Sequence, residues 1–184
     1  MRLFFDTCIY FNQAIAIGRI QNKLNLTNTL QTDYQLTKIP IRKNVEQIIS
    51  DWSLLELEEQ LKKFWWERKT IQTGLHPQRD YWEAKKNIFL EKKEVKEIDA
   101  IIEGLKKESI NGTTPLDLKE VFKLQKEGIE FIDAILFIQA NSSGSDYFIT
   151  RDEIMLEKIN KMGYKTTVKH PEEILKELET PAKK

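Results

Sequence analysis

Asp6 follows the apolar run Leu3–Phe5 directly, so a carboxylate stands where a buried strand is expected to end. Asp152 repeats the arrangement just past "DYFIT". Asp133 lies inside "EFIDAILFIQA", and Glu56 lies inside "SLLELEE" between Leu55 and Leu57. A charge beside a core costs several kcal/mol unless it is paired, hydrated or bound to a metal. Taken singly, each acid has a plain structural explanation. Asp133 suits the first turn of a helix, where the helix dipole favours it. Glu56 completes a capping box with Ser53, and Asp152 can cap the next helix. Asp6 is the hardest to explain in this way. Four acids gathered at one edge would repel one another unless a cation joined them. Carboxylate oxygens suit hard divalent ions such as Mg²⁺ or Mn²⁺. The residue types therefore point to a carboxylate metal site.

The elements that must position these acids alternate between strand and helix. Leu3–Phe5 reads as a first strand, and "CIYFNQAIAIG" as a helix that Gly18 interrupts or ends. The Asn-, Thr- and Gln-rich "LNLTNTLQTDYQLTKIP" reads as loop closed by Pro40. Val45–Ile49 is a second strand, and the helix after it is expected to be capped at Ser53. Residues 77–108 read as helical in two segments, and "NGTTP" as a break. Helices are expected over Leu116–Glu127 and Phe131–Ala140, separated at Gly128. A strand over Tyr147–Thr150, a helix over Glu153–Lys161, a strand in "YKTTV" and a helix opened by Pro171 complete the chain. This alternation implies a three-layer α/β/α fold with a mainly parallel sheet, enlarged by a helical middle segment. Such sheets bind ligands at the carboxyl ends of their strands. Residues 1–178 are expected to form a single domain and 179–184 a flexible tail.

The chain has 184 residues with 29 Lys/Arg against 29 Asp/Glu, so bulk charge selects neither a nucleic acid nor a membrane. Residues 1–44 hold a local excess of Lys and Arg, read as solvated surface. A single cysteine, Cys8, excludes an intrachain disulfide, and two histidines with it give no zinc-like spacing. Asp6 interrupts the opening apolar stretch, and no run approaches the roughly eighteen apolar residues of a membrane helix. A cytoplasmic protein without a membrane partner is expected.

The order "LFFDTCIYFN", "SDWSLLELEE", "FIDAILFIQA" and "DYFITRDEIM" resembles the PIN-domain family of metal-dependent ribonucleases, which includes the VapC toxins of toxin–antitoxin pairs. The resemblance runs from Arg2 to about Leu178. It implies that Asp6, Glu56, Asp133 and Asp152 are catalytic and bind the metal, Mg²⁺ or Mn²⁺. Asp6 and Asp133 are the first choices as direct ligands, and Glu56 and Asp152 serve as ligands or orient water. Thr150 matches the family's hydroxyl before the last acid, Ser53 a hydroxyl of the second motif, and Asp146 is an additional acid. The activity implied is endonucleolytic hydrolysis of RNA leaving a 5′-phosphate and a 3′-hydroxyl. An antitoxin partner and a homodimer are implied by family habit. The extra length in residues 20–44 and 65–115 departs from the compact toxins.

Rival chemistries lack their residues. A haloacid-dehalogenase-like phosphatase needs a second Asp where Cys8 stands, and a cysteine phosphatase needs an Arg where Ala14 stands. No phosphate-binding GxxxxGK[ST] loop is present. Trp65, Trp66, Tyr81 and Trp82 suit a core, RNA stacking or a partner helix. A non-catalytic PIN-like module that binds RNA or protein is the main alternative to an enzyme.

Overall fold

The computed structural model describes residues 1–43 and 45–179, and only the backbone of residues 40–43. Its centre is a five-stranded parallel sheet in the order β3-β2-β1-β4-β5. The strands are β1 (Arg2–Phe5), β2 (Glu46–Ile49), β3 (Ile110–Asn111), β4 (Tyr147–Ile149) and β5 (Thr167–Lys169). β1 pairs Phe4 with Ile48 of β2 on one side and with Phe148 of β4 on the other. Side chains alternate across a strand, so β1 contributes Leu3 and Phe5 to one core and Phe4 to the other. Being buried on both faces is why it reads as an unbroken apolar run.

The chain crosses first from β1 to β2 to β3 and then returns to the other side of β1 for β4 and β5. Parallel crossovers keep one hand, so reversing the direction of travel moves the connecting helices to the opposite face. On one face lie α1 (Thr7–Gln21), α2 (Asn28–Lys43), α3 (Asp51–Gln72), α5 (Lys92–Glu108) and α9 (Pro171–Glu179), around Tyr10, Leu36, Leu57, Ile98 and Ile174. On the other lie α6 (Leu118–Lys126), α7 (Phe131–Ser142) and α8 (Glu153–Ile159), around Val121, Ile135, Phe137 and Met155. The result is three layers, α/β/α. Short α4 (Tyr81–Asn87) joins α3 to α5. The switch in direction opens a crevice beyond the carboxyl ends of β1 and β4, the usual ligand position in such sheets.

Several elements differ from their sequence expectation. Gly18 does not end α1, which runs on to Gln21. The stretch expected as loop is helix α2, and it continues past Pro40 to Lys43. Its composition is poor for a helix, but Asp33, Leu36 and Thr37 are buried at helical spacing. Most helical stability in proteins comes from such a packed face rather than from propensity. Ser50, not Ser53, caps α3, its side chain accepting from the Ser53 N–H. That removes the capping-box explanation of Glu56. The edge strand β3 runs into the "NGTTP" break at Asn111 and is followed by Gly112, where a Cβ would collide with Ile48. Glu179 closes α9, and the rest of the expected tail lies outside the described residues. No helix among the described residues is long and apolar enough to cross a membrane.

The aromatic group divides. Trp65 packs against the core beside Phe64, whereas Trp66 donates its indole N–H to the Ile88 carbonyl at 3.2 Å. Tyr81 meets both Trp66 and Trp82, and Trp82 is 74% exposed.

Candidate functional site

Asp6 ends β1 in the crevice, where its own N–H donates to Ile149 O of β4 at 2.9 Å. It occupies the residue before α1 but makes no cap bond with its side chain. Instead its Oδ2 accepts from Thr150 Oγ1 at 2.6 Å and from Cys8 Sγ at 3.3 Å. Burial pushes the Asp6 carboxyl up, the Thr150 and Cys8 bonds work against that, and the charge of Asp152 adds to the rise. Burial also pushes the Cys8 thiol up, with the Asp6 charge adding to it, so Cys8 is a proton donor here and not a nucleophile.

Thr150 carries a second bond, accepting the Asp152 N–H at 3.0 Å. Asp152 caps α8: its Oδ1 accepts from Ile154 N at 2.7 Å and Met155 N at 3.1 Å, while Oδ2 accepts no hydrogen bond among the described residues. The capping explanation therefore accounts for one of its two oxygens. Glu56, in the second turn of α3, accepts from Thr7 Oγ1 at 2.6 Å and from Gln60 at 3.1 Å. Burial raises its carboxyl, Thr7 lowers it, and the charges of Asp6 and Glu130 raise it further.

Asp133 stands in the first turn of α7, which is aimed at the crevice by the turn at Gly128. Gly128 has φ of 84°, a backbone shape that side chains resist. Asp133 has neither a hydrogen bond nor an ion pair among the described residues. Its carboxyl is pushed up to about 7 by burial, then by Asp6, Glu56, Asp152 and Glu130 in turn. Asp133 is thus the group on which the other acids act. Glu130, at the cap position of α7, is a fifth member that sequence reasoning did not single out. It stands between Ile129 and Phe131, in the loop before the apolar helix.

None of these five carboxylates has a Lys, Arg or His partner within ion-pair distance among the described residues. The one arginine of the loop is engaged elsewhere. Arg151 grips Asp33 of α2 through Nη2–Oδ1 at 2.6 Å and Nε–Oδ2 at 3.1 Å, and meets Glu172 of α9 at 3.1 Å. Asp33 is wholly buried and also accepts from Asn12 of α1 at 2.7 Å. Burial lowers the Arg151 guanidinium, and the bond and charge of Asp33, with Glu172, more than offset this. This network ties the Thr150–Asp152 loop to three helices. Nothing in the sequence revealed it, because Asp33 lies in the segment that reads as loop.

Two supporting residues stand apart from the acids. Ser53 is buried and faces Ser50, the hydroxyl oxygens 3.0 Å apart, so it is spent on the start of α3. Asp146 precedes β4 rather than following it, and its Oδ2 accepts the Arg2 N–H at 2.7 Å at the opposite edge of the sheet. It cannot join the cluster.

The donor set is all carboxylate oxygen, and its members destabilise one another's charge, which suits a hard divalent cation. The arrangement is open: among the described residues, no three His, Cys, Asp or Glu side chains stand close enough together to hold an ion as placed. No family model, curated protein or solved structure matches the chain.

Proposed function

We propose that the chain is a metal-dependent endoribonuclease of the PIN type, with its centre at the carboxyl edge of β1 and β4. One observation carries this reading: five carboxylates act on one another at that edge, and among the described residues none has a basic partner and Asp133 is unpaired. Asp6 and Asp133 are the assigned ligands for Mg²⁺ or Mn²⁺; Glu56 and Asp152 hold the ion or orient water beside it. An ion bound there would polarise the scissile phosphate and make the attacking water more acidic. The chain's own residues do the positioning. Thr150 fixes one oxygen of Asp6, and the α8 N-terminus fixes Oδ1 of Asp152. Thr7 orients Glu56. A toxin–antitoxin setting, an antitoxin partner and a homodimer rest on the family resemblance alone.

The open arrangement of the acids favours a second reading, a non-catalytic PIN-like module that binds RNA or protein. Cleavage of structured and unstructured RNA with Mg²⁺ or Mn²⁺ decides between them. The nuclease reading expects metal-dependent cutting that falls about 100-fold or more in Asp133→Asn. Cutting that persists in the variant, or proceeds in EDTA, overturns the site assignment. Absence of cutting with retained RNA binding selects the second reading.

A further inference from the structure

The outer face of α6 carries Lys119, Phe122, Lys123 and Lys126, spaced as one stripe of a helix. Phe122 is 51% exposed and lies near-parallel to Phe131, itself 41% exposed, with ring centroids 6.5 Å apart. Lys123 is engaged by Glu120 at 3.2 Å and by the Tyr164 ring. Lys119 and Lys126 make no side-chain hydrogen bond or ion pair among the described residues. They flank an open depression lined by Leu118, Lys119, Glu120, Phe122, Lys123 and Lys126. Phe131 opens α7 two residues before Asp133, and Glu130, beside it, belongs to the acid cluster. The stripe therefore runs from the acid edge along α6 for about 10 Å.

We propose that this stripe is a binding subsite for single-stranded RNA, with a base stacked on the Phe122–Phe131 pair and phosphates at Lys119 and Lys126. An exposed ring between two free ammonium groups matches a strand that alternates bases with phosphates. It suits a protein partner poorly, since lysine is depleted at protein interfaces. The position also answers a difficulty of the acid edge. Five carboxylates repel a polyanion, and Arg151 is already held by Asp33 and Glu172. Cations beside the site, rather than in it, bring the strand near. The choice of RNA rests on the nuclease reading above.

The test is equilibrium binding of a fluorescent single-stranded oligoribonucleotide of about 12 residues to the full chain in EDTA, where metal-dependent cutting is suppressed. Phe122→Leu, which keeps apolar bulk and removes the ring, is expected to weaken binding about fivefold or more. The double variant Lys119→Gln/Lys126→Gln is expected to lower the slope of log affinity against log salt by about 1.4. Unchanged melting temperatures show that these exposed substitutions leave the fold intact. Wild-type affinity in both variants overturns the subsite. If Asp133→Asn still abolishes cutting, the nuclease reading survives that result. Altered self-association of Phe122→Leu with unchanged RNA affinity marks a protein interface and overturns the subsite equally. A wild-type chain that neither binds nor cuts overturns both.

Discussion

A carboxyl held at about 7 inside a ring of other acids costs the fold something whenever it ionises, and Asp133 is that carboxyl. Its folded value lies above the ordinary 3.8, so the folded chain retains a proton that the unfolded chain has lost. Stability therefore falls as pH rises from about 4 to about 7 and stays level above, as far as this group is concerned. Asp133→Asn removes the charge and keeps the shape. Because the carboxyl is only half-buried, solvent screening reduces the effect, and the variant should gain about 1–2 kcal/mol at pH 8 without metal. At pH 4 the gain should vanish. Thermal melts of both proteins across that range check it, and a gain over wild type no larger at pH 8 than at pH 4 would contradict the electrostatic picture. A carboxyl that costs stability when ionised is of the kind retained where function opposes stability. Asp6 differs, because Thr150 and Cys8 already offset part of its burial.

The strand β1, the helix α7 and the loop into α8 are what gather the acids, and these were the legible elements. Each pairs an apolar run with an acid at its end, a local pattern that needs no knowledge of the fold. Helix α2 was not legible, since its Asn, Thr and Gln content and Pro40 argue for loop while its evidence is tertiary: the face it buries against α1 and α9. The same holds for β3, two exposed residues that become a strand only by pairing with Ile48 and Ile49. Glu130 escaped notice because its membership depends on where the Gly128 turn points α7. Asp33 is the clearest case, a surface acid on paper and a wholly buried anchor for Arg151 in the fold. Removing one partner of a buried pair strands the other, so Asp33→Ala should cost about 3 kcal/mol in urea unfolding. Glu172→Gln, on the more exposed side of the same arginine, should cost less than about 1 kcal/mol. Equal losses would mean that α2 is not held by this pair.

Over the whole molecule, charge balances at 29 against 29, yet its distribution is uneven where it matters. Five carboxylates act on one another at one sheet edge with no basic partner among the described residues, while Arg151 beside them is turned to Asp33 and Glu172. On the proposed reading a divalent cation is their counter-charge, and a ligand bound only by the folded state raises stability by mass action. Near 100 times its dissociation constant the gain is about 2.7 kcal/mol. For a chain of 184 residues this corresponds to roughly 5–10 °C in melting temperature. Mn²⁺ should produce that rise in the wild type at pH 8 and a much smaller one in Asp133→Asn. The rise should also shrink at pH 6, because protons then compete for Asp133, whose carboxyl is held at about 7. A monovalent salt at matched ionic strength separates coordination from screening, since screening would act alike in the variant and at both pH values. A rise that is equal in wild type and variant would place the ion elsewhere on the molecule, and no rise at all would leave the five acids as an uncompensated cost. The rest of the fold can carry such a cost, so the metal titration, more than any single substitution, tests whether this edge is a working centre.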